Sequence, residues 1–238
     1  MELTEVMRTT GHCRFYRPDP VPDEVFYRAI EAARFAPQGG NRQGVRFVIV
    51  RDAEKKRRLG ELYLPQWKQV YDAVRSGAAS IRSQSGVEKA TQLGFSNVER
   101  QLRETNEFAE RFGEHPAIVV VCVDPAETHP TDVDLDRLSI VGGASVYPMA
   151  QNFLLALRDL GVATAFTTLL VAREPEVREL LDIPEQFITA CHIVAGYPAR
   201  GFPTRLRRRA VEEIAFVDRF GEPLRAKVHS ANGADPDG

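Results

Sequence analysis

Two β-branched, apolar runs, "VRFVIV" at 45–50, interrupted by Arg46, and the unbroken "AIVVVCV" at 117–123, limit what this chain can fold into. A strand with one wet face alternates apolar and polar residues. Runs this short, β-branched and apolar read as buried strands. "ATAFTTLL" at 163–170 and "FITACHIVAGY" at 187–197 supply two further strands. The segments between them are helical in pattern. About four strands alternating with helices make an α/β or α+β domain. A chain of 238 residues suits one large domain or two small ones and can bury such a core.

The helical segments carry their own punctuation. From Glu24 to Ala36, Val25 pairs with Ala29, and Phe26 with Ile30 and Ala33, at helical spacing; Asp23 suits the first turn and its dipole. Asp52 to about Val74 predicts a long charged amphipathic helix with a break near Pro65. Ser145 to Leu160 predicts a buried central helix, with Ser145 as N-cap, Pro148 in the first turn and Gly161 as the stop. "EPEVRELLDI" is a short helix joining the last two strands. Residues 76–115 are polar with scattered apolar positions and no strand signal, so they read as a helical excursion from the sheet. The closing "SANGADPDG" reads as disordered.

The connection "RFAPQGGNRQGVRFVIV" (34–50) is unusual. A helix-to-strand turn needs one or two turn residues, yet this one strings together Gln38, Gly39, Gly40, Asn41, Arg42, Gln43 and Gly44. Gly39 and Gly44 have P-loop spacing, but Val45 and Arg46 stand where Lys and Ser/Thr are required. The dinucleotide fingerprint is missing here and in "VGGASVYP". A glycine cap with a solvated loop would explain the glycines but not three amides together. Glycines that bare the backbone, beside side chains that both donate and accept, suit a flat heteroaromatic ring with N, N–H and C=O edges, a pterin or an isoalloxazine.

With this loop the chain resembles the flavin-dependent nitroreductase family. "RFYRPDPVPDEVFYRAIEAARFAPQGGNRQGVRFVIV" is similar to that family's N-terminal signature. "GGASVYPMAQNFLLALRDLGVAT", "LLDIPEQFITACHIVAGYP" and "RRRAVEEI" are similar to its central helix, its Leu-x-Ile-Pro segment with Gly-Tyr-Pro strand end, and its closing basic motif. The resemblance covers about residues 8–220, with 63–115 poorly matched. It implies an α+β fold, a mixed sheet enclosed by helices, assembled as an intertwined homodimer with FMN at the interface. A single FMN-binding domain would span 1–225, with 226–238 a disordered tail.

By position, the resemblance puts His12 and Arg14 on the FMN phosphate and ribityl chain, and Pro37, Gln38, Gly39 and Asn41 along the ring. It puts Thr168 and Leu169 at the N5/O4 edge, and Arg207 and Arg208 in a second phosphate segment. The chain departs from the family in three places: no arginine stands near Gly11, Gln38 replaces the common Ser, and Gly44-Val45 replaces Pro-Trp. The implied activity is FMN-dependent NAD(P)H oxidoreduction of nitroaromatic or quinone-like small-molecule acceptors, with hydride passing through flavin N5 and no protein nucleophile. The alternatives are a specialised flavoenzyme of the same fold (a dehydrogenase, dehalogenase or flavin-consuming enzyme) and a flavin-binding protein without turnover.

Other features point away from further chemistry. A formal charge of −2 favours neither nucleic acid nor an anionic membrane, and the Arg205–Arg209 cluster lacks interleaved aromatics. Asp132, Asp134 and Asp136 imitate the start of a calcium loop, but Arg137 and Gly143 stand where Gly and Glu are needed. Adjacent Cys191 and His192 point to opposite faces of a strand, and no spacing suits a metal. The N-terminus has no signal-like apolar core, and no apolar run approaches membrane-spanning length. Three scattered cysteines, Cys13, Cys122 and Cys191, point to a reducing cytoplasm.

Overall fold

A computed structural model of the chain describes residues 1–76, 98–204, 206 and 208–225. It divides into two compact units, Met1–Thr204 and Arg205–Gly238. The first unit contains, in order, α1 (Leu3–Thr9), α2 (Asp23–Ala33), β1 (Val45–Val50), α3 (Ala53–Arg75), α4 (Val98–Glu110), β2 (Ala117–Val123), α5 (Tyr147–Asp159), β3 (Ala163–Thr167), α6 (Glu174–Leu181) and β4 (Ile188–Gly196). The described part of the second unit holds a 3-10 turn, Val211–Glu213, and a Phe216–Phe220 ring contact at 4.5 Å.

The four strands lie in the order β1-β2-β4-β3, each pair antiparallel. Among the described residues, parallel pairing is confined to the bridge between His12 and Thr164 at the outer edge of β3, where Cys13 N donates to Thr164 O at 2.8 Å. The apolar run of β2 is buried along its whole length because both faces are covered. Ala117, Val119, Val121 and Val123 pack with Phe26 and Ala29 of α2 and Phe153 and Leu157 of α5. Ile118, Val120 and Cys122 pack with Leu59 and Tyr63 of α3 and with Phe108 and Phe112. β1 is an edge strand, and its Arg46 is exposed.

The expected Cys191–His192 split is observed. Cys191 joins the core under α2 and α5, and burial pushes its thiol up to about 12. His192 lies opposite Val120 and Thr167, on the α3 side of the sheet. It is wholly buried, and neither ring nitrogen has a hydrogen-bond partner among the described residues.

Local expectations hold at several helix ends. Asp23 and Glu24 occupy the first turn of α2, whose buried face is Phe26, Ala29 and Ala33. Asp52 caps α3, its Oδ1 accepting from Lys55 N at 2.8 Å. Gly161 follows α5 with φ +80°, a conformation open to glycine without strain.

Three expectations are corrected. Pro65 does not break α3, which runs continuously from Ala53 to Arg75. Pro65 lies on the exposed face, where the carbonyl it leaves unpaired meets solvent, while Tyr63 and Trp67 anchor the helix on either side. Ser145 is not an N-cap; α5 begins at Tyr147 and its capping residue is Val146. β3 stops at Thr167 rather than reaching Leu170, because the Thr167 hydroxyl accepts from Leu169 N (3.3 Å) and the chain turns into a 3-10 segment, Leu169–Arg173.

Of the 76–115 excursion, residues 77–97 lie outside the described residues, as do 226–238 of the tail. The returning part is helical as expected: α4 followed by the 3-10 turn Phe112–Glu114. No helix among the described residues is long and apolar enough to cross a membrane.

Candidate functional site

The described site residues fall into two groups. The first is the loop before β1. Gly40, Asn41 and Gln43 all have left-handed φ (60°, 53° and 57°), with Arg42 right-handed between the last two. Asn and Gly tolerate this conformation with little cost, which explains their presence here. Asn41 N and Arg42 N are used within the loop itself, donating to Gln38 O at 3.0 Å and Gly39 O at 3.4 Å. The loop is tied down from both ends. Gly39 N donates to Ser145 Oγ at 3.0 Å, and Asp124 N donates to Gly44 O at 3.1 Å. Gly44 must lack a side chain, since a Cβ there would lie 2.6 Å from Glu127 Cβ.

Within this loop Pro37, Gly39 and Asn41 are exposed, while Gln38 is half-buried. Gln38 Oε1 is buried and has no hydrogen-bond partner among the described residues. A buried amide carbonyl of this kind needs a donor.

The second group lies along the outer edge of β3. Bridging to Thr164 holds the 12–14 segment extended, and α4 packs across it. Phe108 meets the His12 ring edge to face at 5.7 Å, and Arg14 Nε donates to Thr105 Oγ1 at 2.7 Å. The 3-10 turn after α4 places Phe112 face to face with Tyr63, ring centroids 3.9 Å apart. Burial raises the pKa of the Tyr63 hydroxyl, and the nearby Thr167 side chain opposes that shift. Thr168 is exposed and Leu169 half-buried at the start of the 3-10 segment, directly after Thr167.

Crowding governs the ionisation of this edge. Packing around the His12 ring pushes its pKa down to about 4, with Arg14 adding like-charge repulsion, although the side chain keeps an exposed face. Burial also lowers the pKa of Arg14, opposed by the nearby Glu104 carboxylate. His12 is therefore neutral at physiological pH, and Arg14 carries the positive charge.

The structure brings His12, Arg14, Thr168 and Leu169 to one edge of the sheet and Pro37, Gln38, Gly39 and Asn41 to the other. The edges are three strand spacings apart, about 14 Å. Arg207 lies outside the described residues; Arg208 is exposed and belongs to the second unit.

Ser145 and Thr105 were not legible as site residues. Ser145 carried a signal but for a different role, a helix cap. Thr105 carried none, standing in a segment with no motif. The calcium-like acidic run is occupied otherwise: Asp132 accepts from Arg137 Nη1 (2.7 Å), Ser139 Oγ (2.7 Å) and Ile140 N (3.0 Å).

The chain thus combines an α+β fold with a glycine- and amide-rich loop at one sheet edge and a neutral histidine beside a half-buried arginine at the other. The nitroreductase family model matches residues 8–197, and the chain belongs to that family. It is 24% identical over 200 residues to a putative NADH dehydrogenase/NAD(P)H nitroreductase of Archaeoglobus fulgidus, covering 83% of this chain and 86% of that one. It is 26% identical over 215 residues to iodotyrosine deiodinase 1 of Rattus norvegicus, covering 90% of this chain and 68% of the rat protein. Its fold is similar to that of a nitroreductase with bound FMN from Desulfitobacterium hafniense, at TM-score 0.61 and 19% identity, covering 92% of this chain and all of that one.

Proposed function

We propose that the chain is an FMN-dependent NAD(P)H oxidoreductase that reduces nitroaromatic or quinone-like acceptors. The observation that carries this reading is the loop 37–44, where left-handed backbone at Gly40, Asn41 and Gln43 and the exposed Asn41 stand beside a buried Gln38 carbonyl that has no partner among the described residues. The Asn41 amide as donor and the Gln38 carbonyl as acceptor suit a ring with both C=O and N–H on one edge, so the residues present suit FMN. Pro37, Gln38, Gly39 and Asn41 would hold the ring, Thr168 and Leu169 would bound it, and Arg14 with His12 would hold the phosphate and ribityl end. Arg207 and Arg208 are proposed as further phosphate ligands on the family resemblance alone. When bound, FMN supplies hydride acceptance from a nicotinamide and delivery to the acceptor. The protein's part is to bind, orient and exclude water. Arg14 supplies the fixed positive charge, and neutral His12 supplies a hydrogen-bonding ring without competing for the phosphate.

The reading includes a homodimer. The two groups of residues stand on opposite sheet edges, and a second copy would let one protomer's loop meet the other's β3 edge. Phe35, Leu138 and Ile140, 76%, 78% and 74% exposed, are apolar surface that such an interface would cover. The reading also places the protein in the cytoplasm, supported by three cysteines without a disulfide partner.

The second reading, reductive dehalogenation, is favoured by the similarity to the rat deiodinase. One experiment tests both. The purified chain should be yellow and release FMN on denaturation, and NADH and NADPH oxidation should be followed with a nitroaromatic, a quinone and an iodinated phenol. Turnover of the iodinated phenol alone would select the second reading. A colourless protein that also fails to bind added FMN would end both.

A further inference from the structure

The segment 76–115 is poorly matched in the family resemblance, yet its described helix, α4, touches two of the candidate site residues. Thr105 and Phe108 are one helical turn apart, so their side chains emerge on one face about 5–6 Å from each other. His12 and Arg14 are two residues apart on an extended segment, so theirs also emerge together, about 7 Å apart. The spacings match, and α4 lies against the segment with Phe108 on His12 and Thr105 on Arg14.

The hydroxyl of Thr105 is used twice. It donates its proton to Gln101 O at 2.7 Å and accepts from Arg14 Nε at 2.7 Å. With its proton committed, the hydroxyl presents only lone pairs to the guanidinium. The helix itself is fixed on α3: Asn106 Oδ1 accepts from Lys68 Nζ (2.9 Å) and Trp67 Nε1 (3.3 Å), and Lys68 pairs with Glu110 at 3.0 Å. Glu104, one residue before, does not close on Arg14; its Oε1 accepts from Arg100 at 3.1 Å and Arg200 at 3.0 Å. Among the described residues, Arg14 makes no other hydrogen bond or ion pair than the one through Nε. Its two Nη atoms, the end of the fork that grips an oxyanion in bidentate fashion, make no hydrogen bond to a described residue.

We propose that Thr105 is a positioning residue for the cofactor's terminal phosphate: it holds Arg14 by Nε and so presents the two Nη atoms to a phosphate monoester. The proposal rests on the FMN reading above and gives the excursion a role, since α4 is its returning limb. A guanidinium that must be ordered at the moment of binding loses affinity; one already held does not.

The test uses the full-length chain stripped of flavin and titrated with FMN and, separately, with riboflavin, which has the same ring and no phosphate. Thr105→Val keeps the shape and removes the acceptor. It should weaken FMN binding about tenfold, as loss of one charge-assisted hydrogen bond does, and leave riboflavin affinity unchanged. Thr105→Ser, which keeps the hydroxyl, should bind FMN like the native chain. Thr105→Val should cost nothing further in an Arg14→Ala background. Unchanged FMN affinity in Thr105→Val would overturn the proposal, as would equal weakening of FMN and riboflavin, or a serine variant no better than valine. Failure of the native chain to bind either flavin would instead overturn the FMN reading itself, and the proposal with it.

Discussion

Acid should destabilise this protein through His192, and replacing that residue should remove a defined share of the effect. His192 sits in the sheet centre, 0% exposed, between Val120 on one neighbouring strand and Thr167 on the other. Burial alone pushes its pKa down to about 3. In the unfolded chain the same ring titrates near 6.5. A depressed folded pKa means the unfolded state binds more protons across this window. The associated stability is fully present above about pH 6.5 and is lost as pH falls toward 3. Going from pH 7 to pH 5 covers about 1.5 units below the unfolded pKa, so the loss is about 2 kcal/mol at roughly 1.4 kcal/mol per unit. His115, 8% exposed with its pKa down to about 4, adds a second loss in the same direction. His192→Met keeps a side chain of similar size that adapts to its surroundings and cannot take up a proton. Urea unfolding of both proteins at pH 7 and pH 5, at one fixed protein concentration, measures the difference. The native chain should lose more stability than the variant by about 2 kcal/mol, the variant keeping only the share of the other histidines. Equal losses in the two proteins would refute the reasoning, because the ring would then be titrating in the folded state.

Arg14→Ala should weaken FMN binding by about ten- to a hundredfold, with turnover recovering at saturating FMN, as measured by flavin titration and NAD(P)H oxidation. Asn41→Ala should instead alter the flavin absorption spectrum or reduction rate in the filled site, since Asn41 belongs to the ring loop rather than the phosphate end; an unchanged spectrum and rate would remove it from the ring. Gly113→Ala would set a Cβ 2.6 Å from the Lys56 carbonyl oxygen in α3, a backbone atom that cannot swing aside. It should lower stability by about 1–3 kcal/mol in a denaturant melt, as overpacking does.

Much of this protein was legible before folding was considered. Runs of β-branched residues mark β1 and β2 because side-chain branching is a local property; the uninterrupted run of β2 is buried throughout, whereas β1, interrupted by Arg46, is an edge strand buried only at Val45 and Val50. Left-handed backbone in the ring loop is likewise written locally, in Gly40 and Asn41. Gly161 marks the end of α5 for the same reason.

Tertiary structure decided what local chemistry leaves open. Ser145 suits a helix cap and a cross-chain acceptor equally well; only the packing of the loop beside α5 chooses Gly39 N, 106 residues away. Pro65 disfavours a helix in isolation, yet the burial of Tyr63 and Trp67 outweighs one lost hydrogen bond at an exposed position. Thr105 and Arg14 are 91 residues apart, in segments that share no pattern, and meet because α3 fixes the helix that bears one against the sheet edge that bears the other. Side-chain type and period act over a few residues, so they determine strands, turns and caps. Which distant hydroxyl meets which guanidinium depends on strand order and helix packing, and those are settled only when the whole core is buried at once.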